Sequence, residues 1–172
     1  MKAFSASKII KFLPICLVLS FFLYCAQDLR LNTTASMLRG IYLVSDGDLE
    51  RGSLVEVCLD ADFAGLALER GYLRAGRCES GVMPLVKSLV GLPGDEIALT
   101  PAGIEVNGIP LPNSQLRQFD TKSRPMHSHL QSEVIPAGKA FVFSDHSGGF
   151  DGRYFGLLNI HQLKTVHPLF TF

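Results

Sequence analysis

Apolar residues fall along this chain in three regimes. From Phe12 to Ala26 they form a nearly unbroken run, FLPICLVLSFFLYCA. With Ile9 and Ile10 it reaches about 18 residues, close to the lower limit for crossing a bilayer. Between Gly40 and Leu111 they come in short alternating bursts separated by Gly, Pro, Asn and Asp, the pattern of half-buried strands joined by turns. Beyond that, Pro112–Gly138 is polar and without a period. Ala140–Ser144 is one more apolar burst, Ser147–Gly156 is glycine-rich, and the tail alternates weakly.

These bursts predict strands at Gly40–Val44, Leu54–Leu59, Leu85–Val90, Glu96–Thr100, Gly103–Val106, Ile109–Leu111 and Ala140–Ser144. Asn107-Gly108 is a two-residue hairpin signal, and Asp46-Gly47-Asp48 and Leu92-Pro93-Gly94-Asp95 read as turns. Leu31–Arg39 reads as a short polar segment. The helical segment is Ala61–Arg70, with Asp60 or Asp62 placed to cap it and Gly71 where a terminator is expected. The expectation is a mostly β domain, a folded sheet or barrel with one or two small helices, behind an N-terminal transmembrane helix.

The flanks of the apolar run set its direction. Lys2, Lys8 and Lys11 precede it, while Asp28 and Arg30 follow, which predicts an N-terminus inside and the remainder outside. A cleaved signal peptide shares the basic start and apolar middle. Here Tyr24-Cys25-Ala26 is a poor cleavage site and Leu23-Tyr24-Cys25 a poor lipidation box. Residues 1–30 are therefore expected to be a cytoplasmic tip and uncleaved anchor, and residues 31–172 an exported domain.

Across 172 residues, 16 acidic side chains balance 16 basic ones, so no basic field exists to hold a phosphate backbone, and a nucleic-acid partner is not expected. Cys16 and Cys25 fall in the anchor and read as inert apolar residues. Cys58 and Cys78 lie in the exported part. An oxidising compartment favours their pairing, and two free thiols are the alternative. His127-Ser128-His129 sits in a polar loop without nearby cysteines, so no metal or other cofactor is expected.

Three blocks carry candidate chemistry. Alternation places Lys87 on one strand face with Leu85 and Leu89. Taken alone it reads as a strand-edge lysine snorkelling its amine to water; desolvated, the same residue becomes a neutral general base. Ser36, in Thr33-Thr34-Ala35-Ser36-Met37, lies just beyond the anchor and by itself reads as a solvated spacer. Asp151 and Arg153 are close enough to pair, which alone is a surface salt bridge of little worth.

Together the blocks resemble the signal peptidase I family. Ser36-Met37 looks like its nucleophile box, Leu85-Val86-Lys87-Ser88-Leu89-Val90-Gly91-Leu92-Pro93-Gly94-Asp95 like its lysine box, and Asp151-Gly152-Arg153-Tyr154-Phe155-Gly156 like its last box. Arg39-Gly40-Ile41-Tyr42 after the serine, and Cys58 and Cys78 around Glu69-Arg70-Gly71-Tyr72, resemble the conjugative-transfer, TraF-type branch. The resemblance implies a Ser36/Lys87 serine protease in the bacterial inner membrane, its catalytic domain periplasmic. It would act on a pilin or other exported precursor beside conjugation or type IV secretion components.

The resemblance further implies an oxyanion hole from the Ser36 N–H and the Thr34 hydroxyl, with Asp151, Arg153 and Asp145 as supporting residues. The substrate would carry small residues at the first and third positions before the cut and bind as an added strand. There are departures. Ser88 stands in place of an arginine, Asp145-His146 in place of Asp-Asn, and Gly149 where many relatives have a serine that orients the lysine. Ser147 or Asp151 are candidates for that duty, while His146 is expected to be solvated or locally hydrogen-bonded. A transpeptidase joining pilin ends, or a non-catalytic secretion component, are the competing readings.

Overall fold

The computed structural model describes residues 15–21 and 26–172. Residues 15–21 are helical. No helix among the described residues is long and apolar enough to cross a membrane. The expected anchor rests partly on Lys2, Lys8, Lys11, Pro14 and Cys25, which lie outside the described residues; Cys16 is a free, exposed thiol.

In chain order the elements are β1 (Leu29–Asn32), β2 (Gly40–Ser45), β3 (Leu54–Val57), α1 (Ala61–Arg70), β4 (Leu85–Gly91), β5 (Glu96–Thr100), β6 (Gly103–Val106), β7 (Ile109–Pro110), β8 (Glu133–Val134), β9 (Lys139–Phe143), α2 (Gly152–Phe155), β10 (Leu158–Asn159) and β11 (Leu163–Thr171). They form two antiparallel sheets, ordered β1-β2-β11-β3-β4-β9-β10 and β7-β6-β5-β8. The mostly β expectation holds. The expected strands between residues 40 and 144 all form, with ends displaced by one or two residues.

Five elements go beyond the expected set. Leu29–Asn32 pairs with β2, so part of the supposed polar segment is a strand. β8 and β10 are two-residue pairings, and the weakly alternating tail is the nine-residue β11, paired with both β2 and β3. Within the glycine-rich stretch, Gly152–Phe155 closes one helical turn, with Asp151 at its N-cap accepting from Arg153 N–H.

α1 occupies the expected residues. Gly71 ends it in the left-handed region at φ 71°, where a side chain would be strained. Asp60 is the N-cap by backbone, but its side chain makes no capping bond. Cys58 and Cys78 form a disulfide across this segment, with Cα atoms 5.5 Å apart. It ties the end of β3 to the loop leading into β4.

Two apolar cores meet at β9. Its sequence KAFVF is apolar on both faces because both are covered. Ala140 and Val142 join Val55, Val57, Leu85, Leu89 and Leu163 in the first core, while Phe141 and Phe143 join Ile97, Ile104, Val106 and Ile135 in the second. At the far end of β4, Asp95 accepts from Arg51, Leu92 N–H and Asn107. The Arg51 bond leads in holding this carboxyl down at about 2, against the cost of burial. The Gly-Asp that closes the lysine block thus pins the turn after the strand.

Candidate active site

The serine and the lysine reach one point from non-adjacent parts of the larger sheet. Ser36 lies in the loop from β1 to β2, and Lys87 is the central residue of β4. β4 buries every second residue, so Leu85, Lys87, Leu89 and Gly91 point inward together. Lys87 is 1% exposed, so it is a core residue and not a snorkelling edge lysine. Its Nζ donates to Ser36 Oγ at 2.8 Å.

Burial penalises the ammonium and brings Lys87 down to about 8; the nearby Asp151 carboxylate opposes the shift and the Arg153 guanidinium adds to it. A free lysine at pH 7 is almost wholly charged, whereas this one is neutral in about a tenth of molecules. In that form the serine hydroxyl can donate to the nitrogen lone pair along the same contact.

Around the nucleophile loop the arrangement differs from expectation. Thr34 Oγ1 lies 3.3 Å from Ser36 Oγ, but its own proton goes to Asn32 Oδ1 at 2.7 Å, so the hydroxyl is not a free oxyanion donor in this state. Asn32 is the residue missed in the sequence. It is buried at the end of β1. Oδ1 also accepts from Thr34 N–H at 3.1 Å, and Nδ2 donates to the carbonyls of Thr34, Met37 and Leu38 at 3.3, 3.2 and 3.0 Å. The available signal was an asparagine two residues before a hydroxyl residue at a strand end, the setting of an Asx turn.

Asp151 and Arg153, which taken alone read as a surface pair and by resemblance as supporting residues, are completely buried. Asp151 Oδ2 accepts from Ser144 N–H, Ser144 Oγ–H and Arg153 Nη2–H at 3.1, 3.0 and 2.8 Å; Oδ1 accepts from Arg153 N–H and Nε–H at 3.1 and 2.9 Å. The guanidinium further donates to the carbonyls of Asn113, Ser144 and His146 and stacks over Phe143. Burial is tolerated because each charge has a partner and each polar atom a bond.

Asp145 does not join this network. It is exposed, and the neighbouring Ser144 makes the contacts. Ser147 is exposed too and accepts from Arg117, so it does not orient the lysine; Asp151 acts on Lys87 through charge alone. The absence of a serine at 149 has a steric cause. A Cβ there would stand 2.5 Å from Ser144 Oγ, 2.7 Å from Arg153 Nη2 and 2.9 Å from Asp151 Oδ2. The strand itself holds the lysine, through the pairing of Lys87 with Val55 and the leucines either side of it.

Ser36 stands on the wall between two clefts. One, of about 260 Å³, contains Lys87 and is lined by Tyr72, Leu73, Leu85, Phe150 and Tyr154 among others. The other, of about 730 Å³, is lined by Met37, Leu38, Val90, Leu111 and Phe143. Tyr72 also donates to Asp120, which pairs with Arg124 and fixes the loop over the first cleft. His146 lines that cleft, with Nδ1 accepting from Gly148 N–H. Among the described residues no group of three His, Cys, Asp or Glu side chains could hold a metal ion, and His129 packs edge-on against Phe63.

The family described as signal peptidase, peptidase S26, matches residues 3–169. The chain belongs to that family. Within it, the chain is 39% identical over 147 residues to a plasmid transfer protein TraF of Escherichia coli, covering 83% of this chain and 82% of the relative. It is 35% identical over 150 residues to a second TraF of that species, covering 85% and 84%. To the conjugal transfer protein TraF of Agrobacterium fabrum it is 33% identical over 147 residues, covering 83% and 82%. A crystal structure of a signal peptidase I from Enterococcus faecalis is also similar, with a TM-score of 0.40 and 19% identity over 72% of this chain and 99% of that one. The S26 family is thus the one the three sequence blocks pointed to, the TraF relatives are those indicated by Arg39–Tyr42 and by Cys58 and Cys78, and the chain is a serine-peptidase-like protein.

Proposed function

We propose that this chain is a membrane-anchored serine endopeptidase that cleaves a pilin-like precursor for conjugative transfer through an acyl-enzyme. The observation that carries the reading is the 2.8 Å contact between Ser36 Oγ and a lysine amine buried to 1% exposure and brought down to about 8. A surface lysine beside a serine would stay charged and leave the hydroxyl inert. A desolvated one is a base already in reach.

In this mechanism neutral Lys87 takes the Ser36 proton as Oγ attacks the substrate carbonyl carbon. The tetrahedral oxyanion is met by the Ser36 backbone N–H, and the Lys87 ammonium returns its proton to the departing amine. The Ser36 ester remains, and water deprotonated by Lys87 releases it. Burial sets the base strength of Lys87, and the charges of Asp151 and Arg153 adjust it in opposite senses. The two clefts either side of Ser36 accommodate an extended peptide crossing it. The Cys58–Cys78 disulfide favours an oxidising, exported compartment. The relatives named as plasmid and conjugal transfer proteins support a role in conjugative transfer.

Membranes carrying the wild-type, Ser36→Ala or Lys87→Ala chain, incubated with candidate pilin precursors and analysed by mass spectrometry, test this. Wild type should yield a shortened product and both variants none. A folded Ser36→Ala chain that still processes precursor ends the proposal. A product one water lighter than the linear fragment marks joining of its ends in place of hydrolysis.

A further inference from the structure

We infer that Asn32 is a positioning residue that fixes the direction of the Thr34 hydroxyl beside the nucleophile; this rests on the Ser36–Lys87 reading above. The side-chain amide has only one orientation that fits its neighbours. Thr34 N–H can only donate, so the atom facing it at 3.1 Å is Oδ1; the carbonyls of Met37 and Leu38 can only accept, so the atom facing them at 3.2 and 3.0 Å is Nδ2. Oδ1 cannot donate. The 2.7 Å contact with Thr34 Oγ1 is therefore a bond in which the threonine gives its proton.

The consequence reaches Ser36. With its proton on Asn32, Thr34 presents only lone pairs to Ser36 Oγ, 3.3 Å away. No second donor then competes with the Lys87 amine for the serine oxygen, and while Lys87 is charged the serine proton can rest on Thr34 Oγ1. When the substrate carbonyl becomes an oxyanion, two bonds from Ser36 Oγ, the Thr34 hydroxyl can turn about its C–O bond and donate to it. A charge-assisted bond is roughly twice as strong as the neutral one released. Asn32 Oδ1 keeps the Thr34 N–H throughout, so the turn leaves no buried acceptor orphaned. Contacts from Nδ2 to the loop carbonyls hold the hydroxyl at the right distance meanwhile.

The test uses the full-length chain in membranes and p-nitrophenyl acetate as a small acylating probe, read as the burst of p-nitrophenolate that depends on Ser36 and Lys87. Thr34 is exposed, so its variants should fold. Thr34→Val should slow the burst roughly 100-fold, the low end for losing an oxyanion donor, while Thr34→Ser should restore most of the rate. Asn32→Ala should slow it about tenfold in the wild-type and Thr34→Ser backgrounds, and less than about twofold in Thr34→Val, because the two residues act as one unit. The loss should fall on the rate constant and not on the half-saturating ester concentration.

A purely structural asparagine would cost the same in all three backgrounds, and that result overturns the inference. So does an Asn32→Ala chain with a wild-type burst. Should alanine not fold, Asn32→Ser is compared in the same three backgrounds by the same criterion. A wild-type chain with no burst dependent on Ser36 and Lys87 defeats the peptidase reading itself, and the inference with it. A normal burst without coupling defeats the inference alone.

Discussion

Replacing Lys87 by methionine should stabilise this protein while abolishing its chemistry, and by an amount that depends on pH in a calculable way. Lys87 is 1% exposed and is brought from 10.5 to about 8 by burial. A base whose folded value lies below its unfolded one loses its proton on folding. Between those two values the unfolded chain binds more protons, so stability rises with pH there. Below pH 8 the full cost of the buried amine is present, about 3 kcal/mol for a shift of this size. At pH 9.5 the same relation leaves about 1 kcal/mol. Methionine fills the site without a charge and loses only the Ser36 bond, about 1 kcal/mol. The variant should therefore be the more stable by about 2 kcal/mol at pH 7, with the gap closing by about 2 kcal/mol between pH 7 and pH 9.5. Urea unfolding of the detergent-solubilised full-length chain, followed by far-UV circular dichroism, measures both. A gap that does not change with pH, or a methionine variant less stable at pH 7, would refute a desolvated lysine.

The buried pair offers a second check. Arg153→Met and Asp151→Asn should each cost about 3–5 kcal/mol, since one charge is left buried without its partner. They should also move the pH midpoint of processing in opposite directions, Asp151→Asn below and Arg153→Met above the wild-type value near 8, because the carboxylate raises Lys87 and the guanidinium lowers it. Gly149→Ser should not supply a lysine-orienting hydroxyl; its Cβ meets Ser144, Arg153 and Asp151 inside 3 Å, and thermal melting should show a loss of about 1–3 kcal/mol. Replacing Cys58 and Cys78 together by serine should cost about 3 kcal/mol, the chain-entropy value for a loop near 20 residues, measured by denaturation with the wild type under oxidising conditions.

The parts of this fold visible in the sequence are those whose pattern is local. LVKSLVG buries alternate residues in one sheet, and ADFAGLALER carries its own start and stop. The less visible strands depend on distant partners. LKTVHPLFT contains Pro168 and three exposed residues after it, and it is a strand because β2 and β3 flank it. The two-residue strands β8 and β10 have no room to show a period. In the site, Ser36 and Lys87 stood out through their resemblance to a known family, and neither through its own surroundings. Asp151 and Arg153 looked like surface charges because sequence spacing says nothing about the packing above them. Asn32 stayed hidden because its role lies in five contacts across a turn, which composition does not encode.

The place of β11 in the larger sheet has a consequence for how Ser36 and Lys87 are held together. β2, next to the serine loop, and β3, next to the lysine strand, are not neighbours; the last strand of the chain sits between them and pairs with both. Without it, Ser36 and Lys87 would stand on two pieces of sheet joined by no strand pairing. The contact between them is therefore a product of the whole sheet closing, and neither half of the sheet makes it alone.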